Sequence, residues 1–490
     1  MKKESFANNS LFFVIFFLIV VSPYNSMAQQ HDIKQSMVKI YTTQIEPDYT
    51  NPWRLGAAEQ SSGSGFIIEN DLIMTNAHVV SNHTFIHVRI FGDAKKHQAF
   101  VVGLSHEADL ALLSVADTSL FDNIPPLSFG DMPNLQDNVS VYGYPEGGDN
   151  LSITKGTVSR IEHHRYVHSY KNLLAMQIDA AVNAGNSGGA VIMDGKVVGV
   201  VMQSLEDAQN TSYAVPIPII QHVLADLKDR KYEGFPTLSI RTQRLDSKNL
   251  KQQFHLPSDK TGVLAIKVHD ASATDHQIQP GDILLQFDGN TIADDGTIEF
   301  RTDERTNFAY FLQQHQIGEP ITIEILREGK TKQITFNATK GRSLQLFQMQ
   351  HDVSPPYFIF GGFVFSSLSM NYLCSWGEDW IVEAPVNYLN ATMYEKWNDN
   401  RRQIVILVKV LPHEINTGYH NMSDEIVTEV DGVPIRDMNH FISLIQNGSK
   451  SLVEIKLKNG VLLVINREEA KKTHNILLKQ YGIPNPISEN

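Results

Sequence analysis

The stretch VNAGNSGGAVI, from Val182 to Ile192, sets three glycines and an asparagine around one serine, Ser187. The apolar run that ends it is typical of a buried strand. Glycine gives the backbone freedom on both sides of the hydroxyl, which a plain surface turn seldom needs. Gly185 and Asn186 let the chain curl so that the N–H groups of Gly185 and Ser187 point at one spot, as in an oxyanion hole. Ser187 is therefore a candidate nucleophile, with Gly185, Asn186 and Ser187 as the predicted oxyanion hole.

A nucleophilic serine needs a base to remove its proton and a buried carboxylate to orient that base. His78, in LIMTNAHVVS, stands at a turn after an apolar strand, where a base can be presented. Asp109, in HEADLALLSV, opens an apolar strand that should draw it into the interior. The alternatives lie in polar, turn-like surroundings: Asp93, Asp117, Asp131 and Asp137. The order His78, Asp109, Ser187 is that of the chymotrypsin-like arrangement.

The surrounding sequence is rich in short β runs. Between Met37 and Tyr213, runs such as MVKIYTTQI and NVSVYGYP alternate with Gly, Asn, Asp and Pro. This pattern predicts an antiparallel barrel or sandwich. The segment PIPIIQHVLADLKDRK then has helical spacing and closes a first domain at 35–232.

The rest of the chain contains an internal repeat. DILLQFDGNTI, from Asp282, matches EIVTEVDGVPI, from Glu425, and each copy reads as a strand, an Asp-Gly turn and a second short strand. A candidate helix follows each copy, RTNFAYFLQQH in the first and MNHFISLIQN in the second. We therefore predict two related α+β modules, at 234–342 and 353–470, with a tail at 471–490.

Composition and the N-terminus limit the function classes. The chain has 490 residues, a formal net charge of −13 and no long Lys/Arg cluster, so nucleic acid is not an expected partner. Two lysines, an apolar run at Leu11–Val21 and the triplet Ser26-Met27-Ala28 predict a secretory signal peptide at 1–28, although a retained membrane anchor is the alternative. We expect a periplasmic or secreted protein. Its one cysteine, Cys374, excludes an intrachain disulfide.

A histidine cluster invites a metal interpretation. IEHHRYVHSY brings His163, His164 and His168 within six residues, but no Cys or carboxylate completes a recognisable ligand spacing. The polar neighbours of His106 favour a surface loop. We therefore predict no metal site and no cofactor.

The motifs TNAHVV, ADLALL and GNSGGA, the stretch GYPEGG and the two trailing modules together resemble the Deg/HtrA family of serine proteases, and details of the modules are similar to its plant-type branch. The resemblance covers nearly the whole mature chain. It implies a multi-domain protein in which an all-β trypsin-like double β-barrel is followed by two PDZ domains. It also implies His78 as base, Asp109 as its orienting group, Ser187 as nucleophile and ATP-independent cleavage of unfolded or misfolded polypeptides. Trimers or multiples of trimers are implied as the assembly.

Specificity and peptide binding follow from the same resemblance. In trypsin-like folds an acidic residue six positions before the nucleophile attracts Lys or Arg, but that position is Ala181 here. With Val201 and Met202 at the start of the next loop, Ala181 predicts a pocket for small or medium aliphatic side chains, although Asp179 is close by. In the first PDZ domain, Thr237, Leu238, Ser239 and Ile240 form a loop that should hold peptide C-termini, and GGFVF at Gly361–Phe365 is a second candidate loop.

The competing hypothesis is a chaperone of the holdase type, or a PDZ scaffold, whose barrel binds polypeptides and rarely cuts them. A pure binder has no need of Ser187. A serine endopeptidase regulated by its PDZ domains is therefore the predicted function.

Overall fold

The computed structural model describes residues 32–204, 212–342, 349–377, 379–395 and 397–488. The predicted signal peptide at 1–28 lies outside these residues. Within them, the structure contains no helix that is both long enough and apolar enough to cross a membrane.

The first domain begins with a closed six-stranded barrel in the order β1-β2-β3-β6-β5-β4. Strands β1 to β6 are Met37–Pro47, Leu55–Ile68, Leu72–Thr75, His83–Ile90, His97–Ser105 and Leu110–Val115. Strand β1 pairs with both β2 and β4, so the sheet closes on itself and leaves no free edge. Its interior is packed with aliphatic side chains such as Ile40, Ile73, Val88 and Leu113.

A second closed barrel follows, in the order β10-β11-β12-β9-β8-β7. Strands β7 to β12 are Asn138–Gly143, Ser152–Arg165, Asn172–Ile178, Ala190–Met193, Lys196–Ser204 and Ser212–Pro216. One hydrophobic cluster joins Phe66 and Met74 of the first barrel to Val141 and Met176 of the second, so the two barrels share a core. The predicted double β-barrel is confirmed.

Helices are short and few in the barrel domain and more frequent in the modules. Helices α1 to α9 are Ala77–Val80, Ile217–Asp226, Lys248–Gln253, Ala309–Leu312, Met370–Cys374, Trp380–Glu383, Val386–Tyr394, Met438–Asn447 and Arg467–Tyr481. Short 3-10 helices lie at Ile33–Ser36, Thr118–Phe121, Leu227–Asp229, Ala271–Thr274 and Glu414–Asn416. Helix α2 closes the barrel domain as the helical spacing predicted.

The first module contains a sheet in the order β13-β14-β15-β19-β20, with β16 beside β15, and a separate pair of strands, β17 and β18. Strands β13 to β20 are Ile240–Arg244, Val263–Val268, Ile283–Phe287, Asn290–Thr291, Thr297–Arg301, Glu304–Asn307, Pro320–Arg327 and Lys330–Asn337. Asp288 and Gly289 both have positive φ in the hairpin between β15 and β16, as the repeat predicted. The predicted helix at 305–315 is largely wrong, because Thr306 and Asn307 pair with strand β17 and leave only α4.

The second module contains a seven-stranded sheet whose main order is β21-β22-β23-β24-β26-β27, with β25 beside β24. Strands β21 to β27 are Tyr357–Phe360, Phe363–Ser367, Val405–Val410, Glu425–Val430, Val433–Pro434, Leu452–Leu457 and Leu462–Asn466. The predicted helix MNHFISLIQN coincides with α8, and Asp431 and Gly432 form the predicted turn.

Two expectations for the second module differ from the structure. The segment assigned to a tail, 471–490, continues helix α9 and then returns to the sheet, where Ile487 bridges to Phe358. The module therefore extends to residue 488 of the described chain. The GGFVF motif supplies a hairpin turn, with Gly361 and Gly362 joining β21 to β22, so it is not a loop that precedes a free strand edge.

Candidate active site

The imidazole of His78 is held by a buried carboxylate. Strand β3 ends at Thr75, and helix α1 presents His78 one turn later. Asp109 accepts two hydrogen bonds from this residue, one from the backbone N–H at 2.9 Å and one from Nδ1 at 2.8 Å. Because Nδ1 is engaged by Asp109, Nε2 is the ring nitrogen left to exchange a proton with a substrate or nucleophile. The structure thus brings together the predicted base and its predicted orienting group.

Asp109 is fixed by its own backbone. Its φ of 53° lies in the left-handed region, which Asp tolerates better than most residues, and only 3 % of the residue is exposed. The side chain of Asn76 donates a hydrogen bond of 2.7 Å to the carbonyl of Asp109. The carboxylate is therefore aimed at His78 by contacts that do not depend on substrate.

The electrostatics of the pair favour an ionised carboxylate. Burial alone would raise the pKa of Asp109, but the charges of His78 and His168 and the hydrogen bonds from His78 lower it. Burial alone would lower the pKa of His78, but the charge and hydrogen bond of Asp109 raise it above its usual value. A protonated His78 imidazole is thereby stabilised.

Ser187 belongs to the second barrel and lies on the loop that enters strand β10. Its carbonyl accepts a hydrogen bond of 2.8 Å from the backbone of Ser64 in strand β2, and the Ser64 hydroxyl donates to the carbonyl of Gly185 at 2.7 Å. Gly188 has φ of 83°, and a Cβ there would come within 2.1 Å of the Ser64 carbonyl oxygen, so only glycine fits. The nucleophile loop is therefore fastened to the first barrel. Among the described residues, Ser187 Oγ has no hydrogen-bond partner.

The loop leaves two backbone N–H groups unused. Asn186 donates its N–H to the carbonyl of Asn183 at 3.0 Å, whereas the N–H groups of Gly185 and Ser187 have no acceptor in the described part of the chain. Gly185 has φ of 90°, and Asn186 is 3 % exposed with its side-chain carbonyl unpaired among the described residues. This pattern is what an oxyanion hole made of the Gly185 and Ser187 amides requires.

The predicted substrate pocket is only partly described. Val201 exchanges backbone hydrogen bonds of 2.9 Å with Gly188 and Gly189, so it adjoins the nucleophile loop. The side chains of Val201 and Met202 are buried in the barrel core, while Ala181 is exposed, and residues 205–211 of the following loop lie outside the described residues. The carboxylate of Asp179 accepts hydrogen bonds from both the backbone and the hydroxyl of Thr157.

The predicted peptide loop of the first module borders an open groove between strand β13 and helix α4. Its wall includes Thr237 to Ile240 from the loop and Phe308 and Leu312 from the helix side. Strand β13 pairs only with β14, which leaves its other edge free within the described residues. Ser239 has φ of 50°, and the backbone N–H of Leu238 has no acceptor among these residues. A free edge beside a free amide is the arrangement that adds an extended peptide.

In the second module the strand that corresponds to β13 is β22, two strands before the Asp-Gly hairpin, and the additional strand β21 pairs with its edge. Strand β21 is also an edge strand, but the N–H of Ile359 donates to the carbonyl of Pro486 at 2.7 Å, and the N–H of Ser488 donates to Tyr357 at 3.1 Å. Segment 486–488 thus takes the place of an added peptide strand.

The three histidines of IEHHRYVHSY have different partners. His163 lies between the second barrel and the first module, with hydrogen bonds of 3.0 Å to the hydroxyl of Thr306 and to the amide oxygen of Gln313. Burial lowers the pKa of His163 to about 4. His164 stacks on Tyr213 with ring centroids 4.1 Å apart.

His168 instead meets residues that are distant in sequence. Its Nε2 lies 2.9 Å from Nδ1 of His106, and its ring stacks on His351 with centroids 3.8 Å apart. Burial lowers the pKa of His168 to about 3. Its ring centroid is 6.1 Å from that of His78, so this cluster adjoins the candidate catalytic pair.

Sequence analysis missed several positioning residues. Ser64 joins the barrels, Asn76 holds the backbone of Asp109, and the amide of Gln44 donates to the carbonyls of His78 at 3.1 Å and Ser81 at 2.9 Å at the end of helix α1. The glycines around Ser64 and the Asn before AHVV were visible, but polar residues beside a strand have many other uses. Only the fold shows which atoms they contact.

The fold and this site define a trypsin-like serine protease with two PDZ domains. A trypsin-like peptidase domain matches residues 63–200, and PDZ domains match residues 236–337 and 347–490.

Curated relatives match along most of the chain. Protease Do-like 4, mitochondrial, of Arabidopsis thaliana is 35% identical over 450 residues, which is 92% of this chain and 84% of the relative. Protease Do-like 2, chloroplastic, of the same plant is 35% identical and covers 94% and 76% respectively. The chain therefore belongs to the Deg/HtrA family of serine proteases. A solved variant of the HtrA-type protease AlgW with a decapeptide shares the fold, with a TM-score of 0.50 and 21% identity over 66% of this chain and 96% of that one.

Proposed function

We propose that this protein is a serine endopeptidase that degrades unfolded or damaged polypeptides outside the cytoplasm, with Ser187 as nucleophile, His78 as base and Asp109 as its orienting group. The observation that carries the proposal is the double hydrogen bond from His78 to the buried carboxylate of Asp109, beside a glycine-rich serine loop. This arrangement fixes the tautomer of the base before substrate arrives.

In the proposed mechanism, Ser187 Oγ attacks the scissile carbonyl carbon while His78 Nε2 takes its proton. The negative oxygen of the tetrahedral intermediate accepts hydrogen bonds from the amides of Gly185 and Ser187. Collapse of the intermediate breaks the C–N bond, and His78 returns the proton to the leaving amine. A water molecule then attacks the acyl-enzyme by the same route. The hydrogen bond from Ser187 to His78 forms in the substrate complex.

We further propose cleavage after small or medium aliphatic residues such as Val, Ala or Ile. Ala181 offers no charge to attract Lys or Arg, and the hydrogen bonds from Thr157 engage both oxygens of Asp179, two residues earlier in the chain. Mapping of cleavage sites in unfolded casein by mass spectrometry tests this, and a dominant preference for Lys or Arg contradicts it.

The first PDZ domain is proposed as the site that captures peptide C-termini. The free edge of strand β13 supports this role, with the unpaired amide of Leu238 placed to bind the terminal carboxylate. The covered edge of strand β21 supports a role for the second PDZ domain in assembly more than in capture. Homotrimers, or multiples of trimers, are proposed from family membership, and light scattering on the full chain measures the assembly.

The compartment is proposed from the N-terminal sequence. Its two lysines, apolar run and small-residue triplet support export and cleavage after Ala28. The compared plant proteases carry the names mitochondrial and chloroplastic, so the compartment needs its own test. N-terminal sequencing of the purified protein and fractionation of its native cells provide that test. An uncleaved N-terminus or recovery in the cytosol contradicts the proposal.

A fluorophosphonate probe tests the enzymatic proposal most simply. We expect one label per chain, on Ser187, together with loss of casein cleavage. His78→Ala should prevent labelling, while His164→Ala, a histidine outside the site, should not. A chain that binds unfolded casein but neither reacts with the probe nor cuts would instead be the chaperone or scaffold.

A further inference from the structure

A second polar cluster lies beside the catalytic pair and has no part in the mechanism above. It combines His106 from the loop before Asp109, His168 from the loop between strands β8 and β9, and His351. The last of these lies in the segment between strands β20 and β21 that joins the two PDZ domains, called the joining segment below. One ring nitrogen from each histidine lies within 4.8 Å of the other two. We propose that these three histidines bind a divalent transition-metal ion, with zinc as the natural candidate, and that the ion fastens the joining segment to the protease domain.

The outer hydrogen bonds of two histidines prepare them as ligands. His106 has its Nε2 2.9 Å from the carboxylate of Asp352, so the proton belongs on Nε2, and Nδ1 presents its lone pair to the cluster. Nε2 of His351 lies 3.0 Å from the carbonyl oxygen of His168, which can only accept, so Nδ1 of His351 also keeps its lone pair. A carboxylate or carbonyl behind a metal-binding histidine is the usual second layer of such sites.

Metal binding requires the ring of His351 to turn out of its stack on His168. Zinc lies about 2.0–2.1 Å from each imidazole nitrogen, so the ligand nitrogens can be at most roughly 4 Å apart. The nitrogens of His106 and His168 are already 2.9 Å apart. The ring of His351, which stacks on His168, must turn about its side-chain bonds to bring its nitrogen closer. All three side chains are partly exposed, so an ion can enter and water can complete four ligands.

Hydrogen bonds hold the joining segment in place for this adjustment. Asp352 and Asn82 exchange two hydrogen bonds, from the N–H of each residue to the side chain of the other, with distances of 2.5 and 2.9 Å. Asn82 follows helix α1, which carries His78. The prediction of no metal site considered only histidines close in sequence, whereas His351 is 183 residues from His168.

Binding is measured on the tag-free full chain carrying Ser187→Ala, so that self-cleavage is absent. Zinc is titrated against a chromophoric chelator, and bound metal is counted after gel filtration. We expect one zinc ion per chain. His351→Ala should weaken binding at least 100-fold, and Asp352→Asn, which alters the contact behind His106 and the contact with Asn82, about 10- to 100-fold. His164→Ala is the matched control and should bind as the parent does.

Hydrogen exchange tests whether the ion holds the joining segment on the protease domain. Zinc should slow exchange of the amides in 349–353 in the parent chain and leave them unchanged in His351→Ala. If His168→Ala fails to fold, His351→Ala and Asp352→Asn still decide the question, since both residues lie in the joining segment. Equal zinc affinity in the parent chain and His351→Ala, less than one bound ion per ten chains, or unchanged exchange of 349–353 would overturn the proposal.

The proximity to His78 adds an activity measurement that rests on the proposed function. A cation beside Asp109 opposes the positive charge that His78 acquires, so zinc should slow casein cleavage and a chelator should restore it. His351→Ala should be insensitive to zinc. Because metal counting uses an inactive chain, a chain without any proteolysis would refute the proposed function and leave the metal site standing. Zinc inhibition that persists in His351→Ala would contradict this site as its source.

Discussion

The two PDZ domains share a fold but treat their edge strands in opposite ways. In the first, strand β13 has a free edge facing a groove that helix α4 completes. In the second, segment 486–488 lies on strand β21 as an added strand, and Pro486 and Ile487 help to line the cleft beside helix α8. A common architecture thus leaves one edge strand free among the described residues and pairs the other with the chain itself.

The domains also differ in how they attach to the barrels. The first attaches through hydrogen bonds of His163 with Thr306 and Gln313 and through Phe300 and Tyr310, which pack against the barrel core. The second packs its core against Tyr49 and Trp53, aromatic residues at the loop after strand β1. The attachment of the first domain thus includes a histidine whose protonation depends on pH.

The largest expected effect is on the rate of proteolysis. Ser187→Ala and His78→Ala should each lower kcat for casein cleavage by roughly 10⁴- to 10⁶-fold, and the double variant should be hardly worse, because the residues act as one unit. Steady-state rates on the purified variants measure this. Additive losses, or an active Ser187→Ala chain, would remove the basis for assigning roles to the PDZ domains.

The next prediction concerns removal of the C-terminal segment that covers the edge of strand β21. Removal of Asn485–Asn490 deletes the hydrogen bonds that Pro486 and Ser488 make with Ile359 and Tyr357. With about 0.5–1.5 kcal/mol for each of these two hydrogen bonds, about 1–3 kcal/mol of local stability is lost, and the amides of β21 should exchange roughly 5- to 150-fold faster. A synthetic peptide of sequence 484–490 should restore slow exchange. Unchanged exchange after truncation would show that the segment does not protect this edge.

A third prediction concerns a substitution in the groove of the first PDZ domain. Ile240 is half-buried and lines the groove of the first domain, so Ile240→Glu should weaken binding of peptides with apolar C-termini about 10- to 100-fold through lost apolar contact and repulsion of the carboxylate. Fluorescence anisotropy measures the affinity. Ile266→Glu in strand β14, at an exposed position outside the groove, is the control and should bind normally. Equal weakening by both variants would point to general unfolding.

The smallest effect concerns pH and the attachment of the first domain. The attached state lowers the pKa of His163 to about 4, whereas a released His163 regains a pKa near 6.5. The released state therefore binds the extra proton, so attachment is unaffected above 6.5, weakens as pH falls below it, and levels off near 4. We expect attachment at pH 5.5 to be about tenfold weaker than above pH 6.5. Energy transfer between a dye on the barrel domain and a dye on the first PDZ domain measures this change. His163→Gln should remove this pH dependence, and the same response in that variant would refute the role of His163.

Local features of these regions were predictable from sequence. The Asp-Gly turns and helix α8 depend on neighbours in the chain, and the structure places each where its pattern indicated. The helix at 305–315 failed because helical spacing cannot reveal that Thr306 pairs across a hairpin and binds His163 of another domain.

Long-range contacts were beyond the sequence patterns. Segment 486–488 looked like a tail because nothing near it shows that strand β21 has room for it. His106 and His168 are 62 residues apart, and His106 looked like a surface residue until the fold placed His168 and Asp352 beside it. Such contacts arise from domain packing, which a single sequence does not encode in any local pattern.

The most direct test of one open and one covered peptide site is hydrogen exchange of the full-length Ser187→Ala chain, with and without a peptide that has an apolar C-terminus. The account predicts that the peptide slows exchange at Leu238 and along strand β13. Strand β21 should already exchange slowly without peptide and should not change when it is added. Protection that appears at β21 and is absent at β13 would contradict the account.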